Sequence, residues 1–100
     1  MNLSQTNIPM FKGENYNLWS LKMKTLFRSR DLWGLVEKGV GEEEDEHHLS
    51  ENQKKDAKAL FLIQQALDER GLVWITEAQT SKQAWDILKQ NIRKASKSLL

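Results

Sequence analysis

Apolar residues recur along this chain at helical rather than strand spacing. Trp19, Met23, Leu26 and Phe27 stand at i, i+4, i+7 and i+8, one stripe of an amphipathic helix, with Asn15 placed to cap it. A short second helix is predicted over Leu32-Trp33-Gly34-Leu35-Val36, capped by Asp31 and stopped by Gly39. Ser50-Glu51-Asn52-Gln53 has the Ser-x-x-Gln form of a capping box and predicts a long helix running to Glu69 or Arg70, with Gly71 as its stop. On the wheel of that helix, Ala57, Leu60, Phe61, Ile63 and Leu67 form one face, and Ala59, Leu62 and Ala66 a smaller second one. Apolar residues round so much of the circumference predict a central helix contacted from two sides. Leu72-Val73-Trp74-Ile75 reads as a short helical turn. Thr80-Ser81-Lys82-Gln83 repeats the capping-box form and opens the last helix, with Ala84, Trp85, Leu88 and Ile92 on one stripe that Ala95 and Leu99 would extend. Neither an internal repeat nor a period-2 pattern of useful length is present. The expected class is all-α: a small bundle of three main helices plus one or two short ones.

Ahead of the first helix, residues 1–14 read as a polar arm punctuated by Pro9 and Gly13, with Met10 and Phe11 to pin it to a core. Residues 15–100 then form one helical domain, interrupted by an acidic loop over residues 39–49. A length of 100 residues suits one domain, and five Gly with one Pro are too few for a turn-rich all-β architecture. Zero Cys excludes disulfides, thiolate metal sites and cysteine nucleophiles. The longest apolar run falls far short of the ~18 residues of a membrane span, and Met1-Asn2-Leu3-Ser4-Gln5-Thr6 is no secretory leader. No membrane partner is expected, and the location is expected to be cytoplasmic.

Net charge is +1, so no strong general attraction to nucleic acid is expected, but its distribution is uneven. Residues 1–38 carry six bases and three acids, residues 39–53 six acids and no base, and residues 54–100 nine bases and five acids. Two mildly basic helical blocks flank an acidic connector.

Candidate chemistry is sparse. Glu44 with His47, and Asp45 with His48, stand at i, i+3, the spacing of a carboxylate–histidine metal helix. Such sites need a second pair on another helix, and these are the only histidines, so no metal and no cofactor are predicted. No base is positioned to activate a Ser, Thr or Lys, and Gly39-Val40-Gly41 lacks the Lys-Ser/Thr of a phosphate-binding loop. No enzyme and no small-molecule substrate are expected. Lys82, Lys89 and Arg93 share one face of the last helix, with Lys97 beyond, and form a candidate phosphate-binding stripe; Lys24 and Arg28 repeat the case more weakly. That is also how any solvated helix face looks, and Asp86 interrupts it. Of four tryptophans, Trp19 and Trp85 are placed in the core, whereas Trp33 and Trp74 are expected to be partly exposed. Leu18 and Leu21 lie off the first apolar stripe, and Leu62 off the larger face of the long helix. With Trp33 they are the candidate interface residues.

The residues also carry a resemblance. Ile8-Pro9-Met10-Phe11-Lys12-Gly13-Glu14-Asn15-Tyr16-Asn17-Leu18-Trp19-Ser20-Leu21-Lys22-Met23 resembles the opening of the Gag polypeptide of plant copia-type LTR retrotransposons. Its pattern is an apolar residue, Phe11, a variable residue, Gly13, then Asn15-Tyr16, then Trp19 and Met23. Leu32-Trp33-Gly34-Leu35-Val36-Glu37-Lys38-Gly39 is similar to the next block, Asp56-Ala57-Lys58-Ala59-Leu60 with Ile63 to the central helix, and Thr80 to Leu88 to the helix carrying Ala84-Trp85-Asp86-x-Leu88. Gln90-Asn91-Ile92-Arg93 departs from the pattern, which often places an aromatic there. The resemblance spans about residues 8–89 and implies a fold like the N-terminal half of a retroviral-type capsid protein. It implies a structural part that self-associates, weakly when isolated, into a particle around the element's RNA. The second capsid half and the Cys/His zinc knuckle of such polypeptides are not in these residues, so an excised domain or the remnant of a decayed element is expected. A small RNA-binding module and a host adaptor domain derived from Gag stand as alternatives, and RNA contact is expected to be weak and non-specific.

Overall fold

The computed structural model describes residues 8–41 and 45–98, with side chains through residue 92. Five helices follow in order: α1 (Tyr16–Ser29), α2 (Trp33–Lys38), α3 (Glu46–Gln65), α4 (Glu69–Trp74) and α5 (Ser81–Ser98). Three are long and two short, and no strand occurs among the described residues. The all-α bundle expected from the spacing is what forms.

Local chemistry explains each boundary, in several places differently from the sequence reading. Asn15 does precede α1, but its backbone is left-handed (φ 55°, ψ 47°) and its side chain accepts no capping bond. A capping residue needs an extended backbone to turn its oxygen onto the first turn. Asp31 does not cap α2. It is the left-handed residue (φ 59°) that closes α1. Its N–H donates to the Arg28 carbonyl at 3.1 Å, and the Leu32 N–H to the Phe27 carbonyl at 2.7 Å, the paired bonds of a Schellman turn. Leu32 and Phe27, both buried, supply the apolar contact of that turn. Gly39 (φ 86°) ends α2, donating its N–H to the Leu35 carbonyl at 2.8 Å.

The long helix starts at Glu46 rather than Ser50, because the Asp45 carboxylate accepts the His48 N–H at 2.9 Å. The acidic connector is therefore shorter than residues 39–49; Glu42, Glu43 and Glu44 lie outside the described residues. The same helix stops at Gln65, and Gly71 sits inside α4 instead of terminating α3. Asp68 makes the difference, accepting the Gly71 N–H at 3.1 Å and opening a new helix. The turn expected around Leu72–Ile75 is the second half of this α4. At α5 the Thr80 hydroxyl accepts the Gln83 N–H at 3.1 Å, and Gln83 Oε1 accepts the Gln79 N–H at 2.8 Å. That is a reciprocal cap shifted one residue from the usual box.

The core holds Phe11, Trp19, Met23, Phe27, Leu32, Val36, Ala59, Leu62, Ile63, Ala66, Leu67, Ile75, Ala84, Trp85 and Leu88. Trp85 is its hub: its ring stacks on Trp19 at 5.5 Å and meets Phe27 and Trp33 edge-on at 5.8 and 5.9 Å. Such pairs add ~0.5–1.5 kcal/mol each beyond the area they bury. The arm joins the core through Phe11, whose N–H donates to the Ala66 carbonyl at 2.8 Å and which bridges Leu67 in parallel. The Trp19 indole N–H donates to the Pro9 carbonyl at 3.0 Å. Met10, expected to help pin the arm, points outward and is exposed.

The smaller face of the wheel reading, with Ala59, Leu62 and Ala66, is buried, and the larger one is split, Ile63 and Leu67 lying in the core. Asp56, Ala59, Leu62 and Ile63 are buried, while Ala57 and Phe61 are exposed and Leu60 is half-buried. Leu62 is thus a core residue, not a candidate interface residue. The cause is Asp56, a carboxylate buried by the partner it finds: Ser81 Oγ donates to it at 2.5 Å and the Ser81 N–H at 3.3 Å.

Candidate interaction surfaces

Large apolar side chains remain outside this filled core, on three helices. Leu18 and Leu21 on α1 are 58% and 60% exposed, Phe61 on α3 is 56% exposed, and Val73 on α4 is 67% exposed. Their positions follow from the helices that bury the opposite residues. On α1 the inward turn of Trp19, Met23 and Phe27 forces Leu18 and Leu21 outward. A shallow crevice of about 310 Å³ lies beside Leu18, lined also by Pro9, Met10 and Lys22 among others. On α3 a second groove of about 500 Å³ runs between Ala57, Leu60 and Phe61 on one side and Val40, Gly41 and Thr80 on the other.

Trp33 is less available than Leu18 or Leu21. It is half-buried, stacks on Phe27 at 6.4 Å, and carries the Lys24 ammonium 5.5 Å from its ring centre. Trp74 is partly exposed, at the edge of a small crevice with Phe11 and Arg70.

Of the candidate basic stripe on α5, only Lys82 and Lys89 have described side chains. Lys82 is half-buried and bound to Asp86 at 2.6 Å across one turn of α5. Lys89 is exposed, and the side chains of Arg93 and Lys97 lie outside the described residues. Lys24 is held over Trp33, and Arg28 is exposed near the end of α1.

At the start of α3, Asp45 and His48 face each other, Oδ2 to Nδ1 at 2.8 Å. The His48 backbone N–H first, and its ring second, hold the Asp45 carboxyl below the usual carboxylate range. The Gly71 N–H and then the Arg70 guanidinium do the same for Asp68. Both carboxylates serve as helix caps. Glu44 lies outside the described residues, and no group of three or more His, Asp or Glu side chains converges among the described ones. Nor is any helix among them long and apolar enough to cross a membrane.

Sequence reasoning missed the exposed side of α3. Its signal was present: Leu49, Gln53, Ala57, Leu60, Phe61 and Gln64 recur at three- and four-residue steps. The sequence reading places only Ala57, Leu60 and Phe61 on an apolar face, with Leu49 in the acidic loop and Gln53 in a capping box.

No curated protein and no solved structure matches the chain. A family model described as the gag-polypeptide of LTR copia-type matches residues 23–98. That segment takes in the second half of α1 and all of α2 to α5, including Trp33, Ala84, Trp85 and Leu88. The chain belongs to the copia-type LTR gag-polypeptide family.

Proposed function

We propose that this chain is a structural, non-catalytic Gag domain whose work is self-association during particle assembly around the element's RNA. The observation that carries the reading is the set of large apolar side chains left outside a filled core, above all Leu18 and Leu21. A domain of 100 residues with a filled aromatic core does not need them for folding, and exposed apolar groups grouped on a surface mark a partner site. Membership of a gag-polypeptide family supports further copies of the same polypeptide as the partner.

Assembly of this sort divides its free energy over many small contacts repeated by symmetry. A patch built on Leu18 and Leu21 covers a few hundred Å² at most, below the ~1,000 Å² of a stable specific interface. Contact through it is therefore weak in the isolated domain and gains strength when neighbouring segments raise the effective concentration. RNA is held weakly and without sequence preference, since Lys82 is already paired within α5.

The test is Leu21→Glu in a longer Gag chain. Circular dichroism should show an unchanged helical fold, and electron microscopy a loss of particles. Particles formed as before would refute the assignment of this face.

A further inference from the structure

A second apolar surface, on a different helix, has a pattern of its own. Leu49, Gln53, Ala57, Leu60, Phe61 and Gln64 run down the outer side of α3; Gln53, Ala57 and Phe61 are exposed and the other three half-buried. The stripe covers sixteen residues, or about 22 Å at the helical rise. Ala57, near its middle, lets another backbone come close. Four of its six residues pair off about the point between Lys58 and Ala59. Reversing the chain there sets Gln53 against Gln64 and Ala57 against Leu60, amide to amide and small to large.

We propose that the outer face of α3 is a two-fold interface, in which α3 of one copy packs antiparallel on α3 of a second copy of this chain. The proposal rests on the self-association reading and names a surface for it. Two-fold contacts require a self-complementary patch, in which residue i meets j and j meets i. The paired glutamines and the Ala57–Leu60 match meet that demand. In this register Phe61 of each copy falls opposite Asp56 of the other. There the groove of about 500 Å³ walled by Val40, Gly41 and Thr80 is open to take a ring.

Charge selects the antiparallel sense. Asp45, Glu46 and Glu51 cluster at the start of α3, behind the acidic run Glu42-Glu43-Glu44 of the sequence. Parallel packing would bring both acidic ends together, whereas antiparallel packing holds them at opposite ends and opposes the helix dipoles.

Area sets the strength. A strip about 22 Å long and one helix (~10 Å) wide buries a few hundred Å² per copy, so the pair falls below the ~1,200–2,000 Å² of a stable complex. A reversible dimer of low affinity is expected, suited to a contact that must form and rearrange during assembly.

Sedimentation equilibrium of the 100-residue chain up to about 1 mM, a range suited to interfaces below standard size, tests this. The chain should pass from 11.7 kDa toward twice that mass. Phe61→Glu should weaken the dimer at least tenfold, as expected for loss of a central aromatic anchor, with an unchanged helical spectrum. Register is tested by charge. Gln53→Glu with Gln64→Lys should tighten the dimer about fivefold at low salt through two new cross-copy pairs, while Gln53→Glu with Gln64→Glu should weaken it. A dimer unaffected by Phe61→Glu but abolished by Leu21→Glu overturns the α3 interface and leaves self-association standing. A chain that stays monomeric throughout overturns the α3 interface as well; the particle experiment on the longer Gag chain then decides self-association by itself.

Discussion

Asp56 reaches from the middle of α3 to the first residue of α5, and its removal should be among the costliest single changes in this fold. The carboxylate is 5% exposed and Ser81 is fully buried. Asp56→Ala strands two donors at once. One is the Ser81 hydroxyl, bonded at 2.5 Å; the other is the Ser81 N–H, shared between both carboxylate oxygens at 3.3 Å. A hydrogen bond to a charged acceptor contributes ~1.5–3 kcal/mol, and the shared N–H bond is long enough to sit at the low end. The expected loss is about 3–4 kcal/mol, out of a total stability of ~5–15 kcal/mol for a small domain. That loss should lower Tm by ~12–30 °C. Asp56→Asn keeps an acceptor and should cost less than half as much. Urea unfolding followed by tryptophan fluorescence measures both, and Trp85, on the helix that Asp56 anchors, provides the signal. The partnership itself is tested by combining Asp56→Ala with Ser81→Ala, whose effects should fall short of additive because they remove one bond twice. A loss under about 1 kcal/mol for Asp56→Ala, or strict additivity, would refute the reasoning.

Two further outcomes follow from the charged groups. Asp45 and Asp68 are held below the ordinary carboxylate range by the N–H groups they cap, so their contributions are complete above that range and lost as pH falls below it through their lowered values. Amide resonances of His48 and Gly71 should therefore show local fraying below about pH 4, and Asp45→Ala should abolish the step at His48 alone. RNA binding should weaken with salt along a log–log slope of magnitude about 3 or less; a steeper slope that depends on Lys89 would favour an RNA-binding module over a capsid-like part.

Local chemistry made some of this fold legible and distance hid the rest. Thr80 and Gln83 cap α5 from three residues apart, so the start of that helix can be read from a four-residue window. Gly39 ends α2 for a reason internal to glycine, its tolerance of positive φ. Asp31, Asp45 and Asp68 were harder, because an aspartate is good at starting helices and passable at ending them. Only the chain path decides which it does. Asp31 adopts φ 59° and closes α1, while Asp45 and Asp68 have extended backbones and open α3 and α4. Asp56 was out of reach altogether, its partner lying twenty-five residues downstream. With it went the orientation of α3, and so the placing of Leu62 inside and Phe61 outside. Leu18 and Leu21 were legible as off-stripe because α1 has one apolar face, not two.

The arm carries a consequence for where this unit begins. Its short segment from Ile8 to Phe11 contributes a buried ring, a carbonyl for Trp19 and an N–H for Ala66. The family signature, by contrast, starts only at residue 23. A chain trimmed to that signature would discard Phe11, Tyr16 and Trp19, three rings packed on one another, and would strip the stacked face of Trp85. The stretch by which the lineage is recognised is thus shorter than the stretch needed to close its core, and an excision guided by ancestry alone would cut through the aromatic cluster.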